Sequence, residues 1–453
     1  VGTGMSPRSS AVDSNGDPAT EFRTRAQQLW RNQSAAMDFA GRPGQGGVTE
    51  DGLEIQALTA VMLSGDVLYN IRAINTREQR KRGIPAPITI QLIDSMRLAD
   101  YATSGEITEG HIVYRGLELD RELNVVGFWI NDLIPGYVTP TQGTYEPRFY
   151  SVDDIRHVYV KEDIDQLRGT TWFAPAMEHG RDTADLQENL VKAAAVSTCV
   201  VGGYSLSSGK TRFGQAGATG DDLTDTNGNP ITRMSPGMLI NLGKDGKLQM
   251  YSPTVGTPGG EAFVASLLRG IAAAMPGTKS STVTGDYRNS SFSSERSADN
   301  DAWPELEVVQ KWFSNAFCRP IYEAVVTAAV LDGYFDGIVT AGEFMRNKAQ
   351  WLACEWQGPV ARSINPIDDV QAAAMRIKAG ISTPQIEAAK LGLRIEDIIN
   401  AIVDFKKLCE DADLPEVYVS QVLGFDTTDL IATGESVAAT ANGGANVTTD
   451  KAA

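Results

Sequence analysis

The sequence predicts an α+β protein in which short strands come first and long helices follow. Residues 124–131 alternate apolar side chains in the manner of a strand, and residues 88–93 are rich in isoleucine and leucine. From 258 to 333 the chain shows two apolar stripes at helical spacing, separated by a polar stretch. This helix–loop–helix stretch is the strongest pattern in the chain.

The first third of the chain combines helical and strand patterns. Residues 1–20 are rich in Gly, Ser, Asp and Pro, a composition that predicts a disordered N-terminal segment. Because residue 1 is Val and not Met, we also expect the natural N-terminus to have been lost or processed. Two helices are predicted at 22–37 and 52–69. The predicted strands cover 69–72, 88–93, 111–119, 124–131 and 150–160.

A small insert separates two strong helical patterns in the middle of the chain. The first pattern covers 176–201 and the second covers 258–275, each with one apolar stripe. The stretch 202–257 between them is rich in Gly, Ser, Thr and Asp and contains a strand–turn–strand pattern. We therefore expect an antiparallel helix pair with a small β-rich insert at one end.

A polar stretch follows the second of these helices. Residues 276–300 contain almost no large aliphatic side chains and many Ser, Asn and Asp, which predicts a mobile loop. A loop of this length inside a compact domain usually has a function. Pro304 then favours the first turn of a long helix that stops at Gly333. Pro320 lies inside that helix and predicts a kink, because proline removes one backbone hydrogen bond.

The C-terminal part reads as a set of shorter helices. Asn365 and Pro366 supply an N-cap and a first helical residue. Helical patterns cover 366–380, 384–392 and 395–408. The tail, 411–453, becomes rich in Ala, Thr, Gly and Asn from about residue 426, and we expect it to be flexible.

Composition excludes several classes of protein. The 453 residues leave room for two or three domains, and no stretch approaches the apolar length of a membrane span. The four cysteines are far apart, which argues against a disulfide framework and against a zinc site. Three histidines give little material for metal or acid–base chemistry. We therefore expect no cofactor, no metal and no catalytic site.

The net charge bears on the relation to DNA. It is −17, whereas a protein that grips DNA by its phosphates carries a basic patch that displaces counterions. An acidic chain argues against tight holding of DNA, although DNA as cargo is compatible with it.

Four local patterns suggest chemistry, and each has a simpler explanation. Residues 203–211 resemble a phosphate-binding P-loop and would define the alternative, a nucleotide-using enzyme. Five residues separate the two glycines where a P-loop has four, and the segment before them reads as helix. His157 near two aspartates reads as structural, and the serines of 290–297 read as a hydrophilic loop without an activating base. Asp368 and Asp369 fit the first turn of a helix better than a metal site.

Several segments together resemble one family. GDYRNSSFSSERSA (285–298), RPIYEAVVTAAVLDG (319–333) and WQGPVARSINPIDDVQAAAMRIKAGIST (356–383) are similar to the lambda-type portal proteins of tailed bacteriophages. Upstream, RGLELDRELNVVGFWI, QLRGTTWFAPAMEHGRDTADLQENLVKAAAVS, MSPGMLINL and FVASLLRGIAAAM follow in that family's order. The resemblance spans about residues 25–410. Ser363-Ile364-Asn365-Pro366 stands where the family usually has a Trp-Ile-Asp-Pro-type motif, and it keeps the N-cap chemistry.

The resemblance implies a ring, typically of twelve subunits, at one vertex of the capsid. Double-stranded DNA passes through its channel, driven by a terminase motor during packaging, and leaves by it during ejection. The implied partners are other copies of the chain, the terminase large subunit, a head–tail adaptor protein and the major capsid protein or scaffold. The implied location is the virion, at the capsid vertex and head–tail interface, and the host cytoplasm during assembly, with no membrane and no enzymatic activity.

The resemblance also implies a division of the chain. After the N-terminal segment, the expected parts are an α+β wing (21–175), a first stem helix (176–201), a clip (202–257), a second stem helix (258–275), a tunnel loop (276–300), a kinked helix that returns through the wing (301–365), a helical crown (366–410) and the tail.

The tunnel loop carries the candidate DNA contacts. Cationic and aromatic side chains there are suited to phosphates and sugars, and the candidates are Lys279, Arg288, Arg296 and Tyr287. Phe292 is a further aromatic of the same loop. The alternative is that these charges only solvate the loop or pair with Asp286 and Glu295 of a neighbouring subunit.

Overall fold

A computed structural model describes residues 4–99, 107–131, 147–204, 238–241, 260–286, 291–360, 366–393 and 395–412. The chain folds into two compact units. The first unit contains residues 1–171 and 299–453, and the second contains residues 172–298. The first boundary lies close to the predicted end of the wing at 175.

Helices and strands alternate in the first part of the chain, and helices dominate the rest. The helices are α1 (Thr20–Gln33), α2 (Glu50–Ser64), α3 (Thr76–Arg82), α4 (Ala174–Cys199), α5 (Gly260–Ala273), α6 (Ser280–Thr284), α7 (Phe292–Phe313), α8 (Arg319–Leu331), α9 (Ala341–Arg346), α10 (Lys348–Trp351), α11 (Pro366–Lys378), α12 (Pro384–Lys390) and α13 (Ile395–Asp411). The strands are β1 (Ser6–Ser9), β2 (Asp66–Ala73), β3 (Ile88–Asp94), β4 (Ile112–Tyr114), β5 (Leu117–Leu119), β6 (Val125–Ile130), β7 (Arg148–Ser151), β8 (Ile155–Tyr159), β9 (Val200–Tyr204), β10 (Met238–Asn241) and β11 (Cys354–Gln357). The α+β prediction is confirmed.

Besides the pair of β1 with β11, the described residues of the first unit form two antiparallel sheets, in the orders β3-β2-β8 and β4-β5-β6-β7. Apolar side chains from both sheets form one buried cluster, which removes them from water and holds the sheets together. Its members are Leu68, Ile93, Leu117, Leu119, Phe128, Ile130 and Ile155.

Aromatic side chains form the helical side of this unit's core. The rings of Phe22 in α1 and Phe335 stack at 4.5 Å, and Trp351 lies 4.9 Å from the ring of Phe22. Trp30, further along α1, packs 5.7 Å from the ring of Tyr322 in α8. Such ring pairs add attraction beyond the apolar area that they bury, so they fix α1 against α8.

The prediction of disorder for residues 1–20 is wrong for the part that the structure describes. Strand β1 pairs antiparallel with β11, and Met5 and Ala11 on either side of it are buried. The Nε of Arg23 donates to the carbonyl oxygen of Ala11 at 2.7 Å. Composition missed this strand because its partner lies about 350 residues further along the chain.

Two predicted strands are each split into two. The stretch 111–119 forms β4 and β5, joined by a turn in which both Arg115 and Gly116 have positive φ, 48° and 84°. That backbone matches the twist of a hairpin and favours glycine. The stretch 150–160 likewise contains the end of β7 and all of β8. The helix predicted at 52–69 ends at Ser64, because Gly65 has a φ of 93° and β2 begins at Asp66.

The long helix predicted to start at Pro304 differs from the prediction in two ways. It begins at Phe292, so Pro304 lies inside α7. It is then interrupted by a π-helical segment, Ser314–Cys318, in which the Arg319 N–H donates to the Ser314 carbonyl oxygen. Pro320 therefore occupies the first turn of α8, where its missing N–H costs little.

The C-terminal helices are tied together by charge. In α11, Arg376 donates from Nε and Nη2 to both carboxylate oxygens of Glu387 in α12, at 3.0 and 2.7 Å. Thr383 caps α12 by accepting from the Ile386 N–H. Across the described residues, no helix is both long enough and apolar enough to cross a bilayer.

Candidate functional site

The second unit is built on the helices α4 and α5, which pack on each other. Gly270 lets them approach closely, since a Cβ there would lie 3.1 Å from Cδ2 of His179. Ala176, near the N-terminal end of α4, and Ala272, near the C-terminal end of α5, are also buried. Gly270 lies near the C-terminal end of α5 and His179 near the N-terminal end of α4, which is the contact expected of an antiparallel pair.

Both helices leave large apolar side chains in water. Among the described residues of the second unit, five such side chains are between 38% and 69% exposed: Met177, Leu190 and Val191 of α4, Phe263 of α5, and Val283 of the short helix α6. A helix that exposes apolar side chains on the face away from its partner is typical of a surface that another protein covers.

Between α5 and residue 286 the chain forms a turn and the short helix α6. Gly277 lies in the turn and Gly285 ends α6, and both have a φ of 64°. The tunnel-loop prediction, a mobile loop over 276–300, is therefore wrong in part. It missed α6, and it missed the first two turns of α7.

Lys279 and Glu295 tie the start of α6 to the first turns of α7. The Nζ of Lys279 lies 3.2 Å from Oε2 of Glu295, and both side chains are about three-quarters buried. The hydroxyl of Ser281 also donates to Oε2 of Glu295, at 3.3 Å. Lys279 thus pairs with Glu295 of its own chain, whereas the alternative named a pair with Glu295 of a neighbouring subunit.

Serines begin α7. The N–H of Ser291 donates to Oγ of Ser294 at 2.9 Å, and the N–H of Ser294 donates to Oγ of Ser291 at 3.2 Å. This reciprocal arrangement satisfies N–H groups that have no partner inside the helix, as a capping box does. The polar composition therefore reflects a capped helix start, which low apolar content had made look like a loop.

The structure describes two of the four residues that are predicted to contact DNA. Lys279 is ion-paired as described, and Arg296 lies exposed on α7, one residue after Glu295. Tyr287 and Arg288 lie outside the described residues. The backbone of Phe292 is described as the first residue of α7.

The P-loop reading of 203–211 is weakened on different grounds from those expected. The segment before residue 205 is strand β9 and not helix, which corrects the expectation. Gly203 itself lies within β9, paired with Ile240 of β10, whereas a P-loop glycine belongs to the loop after a strand. Residues 205–211 lie outside the described residues.

The other residues weighed for chemistry have structural roles. Nε2 of His157 in β8 donates a hydrogen bond to Oδ2 of the Asp66 carboxylate in β2, at 3.0 Å. Asp66 is fully buried and also accepts from Arg168. Asp368 and Asp369 are exposed in the first turn of α11, where carboxylates favour the helix dipole.

Sequence reasoning missed one group, in the first unit. Glu50, Asp51 and Glu54 at the start of α2 bring three carboxylates together, and two of them are buried. The signal was present in the spacing, since residues three and four apart lie on one side of a helix, which places Glu54 beside both Asp51 and Glu50.

The chain matches the model of the family described as phage portal protein, lambda family, over residues 1–310. It is 26% identical to Portal protein B of Escherichia phage lambda over 314 residues, which are 62% of this chain and 56% of that protein. It is 25% identical to the portal protein of Escherichia phage N15 over 309 residues, again 62% and 56%. The chain thus spans about half the length of these curated relatives.

Among solved structures, the chain is similar to one from the neck of a native GTA particle with twelvefold symmetry. The identity is 13%, the TM-score is 0.35, and the alignment covers 84% of this chain and 91% of the other. A TM-score of 0.35 is too low to establish a shared fold. The family match does not depend on it: because that match covers 310 of the 453 residues, this chain belongs to the lambda family of phage portal proteins.

Proposed function

We propose that this chain is the subunit of a ring-shaped portal at one vertex of a tailed-phage capsid. Double-stranded DNA is packaged through the ring and ejected through it. The observation that carries this proposal is the family match over residues 1–310. The ring is a structural platform and conduit with no chemistry of its own.

The exposed apolar side chains of the second unit support assembly. In a solitary chain, Phe263 and Val191 are more than half exposed to water, which is unfavourable for side chains of this size. In a ring, the same faces lie against the neighbouring subunit. Rotational symmetry repeats one heterologous contact until the ring closes, and we place the number of subunits at twelve.

The charge of the chain supports passage of DNA without tight binding. Each chain carries a net charge of −17, so a ring is strongly acidic overall. A basic channel wall would hold the phosphates in deep electrostatic wells, because binding displaces counterions from DNA. Lys279 is already neutralised by Glu295, which leaves Arg296 as the exposed cation of the described part of 276–300.

The segment 276–300 is the tunnel loop in this proposal, and α4 and α5 are the stem. Arg296 contacts the DNA backbone, together with Tyr287 and Arg288, and Lys279 does so by leaving its ion pair with Glu295. The crown is α11–α13. The partners are the terminase large subunit, a head–tail adaptor protein, and the major capsid protein or scaffold, with assembly in the host cytoplasm and residence in the virion.

The mass of the purified chain tests the assembly. Twelve copies of the 48.7 kDa chain give a particle of about 580 kDa, a closed ring that needs no nucleotide to form. Light scattering on the purified chain is expected to give one discrete species near that mass, without ATP turnover. A monomer with ATPase activity that disappears in Lys210→Ala would contradict the proposal and favour a nucleotide-using enzyme.

A further inference from the structure

Three carboxylates converge at the beginning of α2, in the first unit. They belong to Glu50, Asp51 and Glu54, and one oxygen from each lies within 4.8 Å of the others. Glu50 is 2% exposed and Glu54 is fully buried, whereas Asp51 is exposed. The group therefore reaches from the interior to the surface.

The dipole of α2 does not explain this arrangement. Acidic residues in a first turn favour the helix dipole while they remain hydrated, and Thr49 already caps α2 by accepting from the Gly52 N–H. Burial of two of the three carboxylates removes their hydration, which is costly for a charged group without a partner. Among the described residues, no lysine or arginine forms an ion pair with any of the three.

Glu50 gives an independent indication of a ligand. Its Oε1 is buried and has no hydrogen-bond partner, although buried polar atoms are satisfied in the great majority of cases. Glu50 and Glu54 also bring two carboxylates together in the interior. A positive charge bound at this place would satisfy that oxygen and offset the repulsion.

Glu54 is held in position by two donors. The Met5 N–H donates to its Oε2 at 2.8 Å, and the Cys318 thiol donates to its Oε1 at 3.1 Å. These contacts orient the carboxylate from the side of the N-terminal segment and from the side of the π-helical segment. Oriented carboxylates are what a metal site requires of its ligands.

The carboxylates are open to solvent on one side. Glu50 and Asp51 line a pocket of about 980 Å³, together with Gly4 and Met5. All of these residues belong to the first unit. The pocket provides an entry path for an ion and room for the water molecules that complete its coordination.

We propose that Glu50, Asp51 and Glu54 bind a divalent metal ion, and that calcium fits the site best. Carboxylate oxygens are ligands that hard cations prefer. Their oxygens lie within 4.8 Å of one another, close enough for one ion to contact all three. Ca²⁺ accepts several carboxylates in flexible geometry, whereas Mg²⁺ demands near-ideal octahedral geometry and usually keeps several of its waters.

The bound ion fastens the N-terminal segment to the core. Met5 contacts the ligand Glu54 through its N–H, and Gly4 lies so tightly against Asp51 that a Cβ would overlap its Oδ1. Strand β1 follows directly after these residues. Calcium is thus expected to stabilise the pairing of β1 with β11 and to leave α4 and α5 unaffected.

Titration of the metal-free protein with CaCl₂ tests the site. The full chain is dialysed against a chelator, and thermal unfolding and amide hydrogen exchange are then measured with CaCl₂, MgCl₂ or neither. We expect calcium to raise the unfolding temperature by several degrees, to do so at lower concentration than magnesium, and to slow exchange in residues 5–12. We expect Glu50→Gln and Asp51→Asn each to weaken the calcium response about tenfold or more, since ligand charge sets affinity.

Glu21→Gln is the matched control, because Glu21 is an exposed carboxylate in the first turn of α1. It must keep the full calcium response. If calcium and magnesium leave both the unfolding temperature and the exchange of residues 5–12 unchanged, the proposal is overturned. The same holds if Glu50→Gln raises the unfolding temperature without cation and Asp51→Asn keeps the calcium response, because a proton shared by Glu50 and Glu54 then explains the cluster.

Discussion

At the scale of single residues, buried polar groups fix the position of segments that strands alone do not hold. Asp66 lies fully buried in β2, and its carboxylate accepts hydrogen bonds from His157 of β8 and from Arg168. Arg168 also donates from Nη1 to the Arg115 carbonyl oxygen at 2.9 Å. One carboxylate thus joins the three-stranded sheet to the chain after β8 and, through Arg168, to the β4–β5 turn.

Asp66 makes the stability of the first unit dependent on acid. Burial alone would raise its pKa, but the hydrogen bonds and charges of His157 and Arg168 outweigh burial and hold the pKa well below its ordinary value. The stabilisation is therefore present above the unfolded-state pKa of about 3.9 and is lost as the pH falls below it. We expect Asp66→Asn to cost about 3 kcal/mol at pH 7, because it leaves Arg168 without its partner.

Denaturant unfolding at several pH values measures this effect. The difference between the natural protein and Asp66→Asn should shrink as the pH falls from about 5 towards 2. A difference that stays constant over that range would show that Asp66 acts through packing and not through its charge.

Lys279 and Glu295 distinguish a structural ion pair from a DNA contact. Lys279→Ala and Glu295→Gln remove the same pair, so we expect each to lower stability by about 1 kcal/mol or less. If Lys279 also contacts DNA, Lys279→Ala and Arg296→Ala should reduce DNA packaging or retention while Glu295→Gln leaves it intact. Thermal unfolding and the fraction of DNA-filled particles measure the two effects. Equal packaging in all three variants would refute the DNA contacts.

At the scale of secondary-structure elements, the sequence predicts the helices and strands whose pattern of apolar residues is local. The apolar stripes at 176–201 and 258–275 correspond to α4, Ala174–Cys199, and α5, Gly260–Ala273, within two residues at each end. Strand β1 was missed because its stability comes from β11, which no local pattern reveals. The start of α7 was missed because its support comes from the serine caps and from Lys279, not from apolar side chains.

For the candidate sites too, the sequence predicts the residue types but not the contacts with distant parts of the chain. Lys279 and Arg296 could be selected by residue type, but their difference in burial and pairing depends on the fold of 279–296. The carboxylates of Glu50 and Glu54 share a turn in the sequence, whereas their burial depends on Met5 and Cys318, which are distant along the chain. Contacts of that kind can be read only from the folded chain.

The α4–α5 contact gives a prediction about two glycines. Gly270 faces His179 at close range, so Gly270→Val should force the helices apart and lower the unfolding temperature of the second unit. Gly180 in α4 has open space around its Cβ position, so Gly180→Ala should stabilise the helix by about 0.5–1 kcal/mol. Thermal unfolding followed by circular dichroism measures both. Equal tolerance of the two substitutions would show that α4 and α5 do not depend on this close approach.

At the scale of the whole molecule, the composition and the exposed apolar side chains both agree with the ring that we propose. A chain with 42% hydrophobic residues and a net charge of −17 forms a core and still repels DNA over most of its surface. The second unit leaves apolar side chains in water that an adjacent copy would cover. The ring that we propose is acidic overall, which suits a channel through which DNA slides.

Cryo-electron microscopy of the assembled particle tests the proposed ring and its DNA channel most directly. We predict a closed ring, with residues 276–300 of every subunit facing a lumen wide enough for duplex DNA. A solitary chain, an open filament, or a ring with residues 276–300 on its outer surface would contradict it.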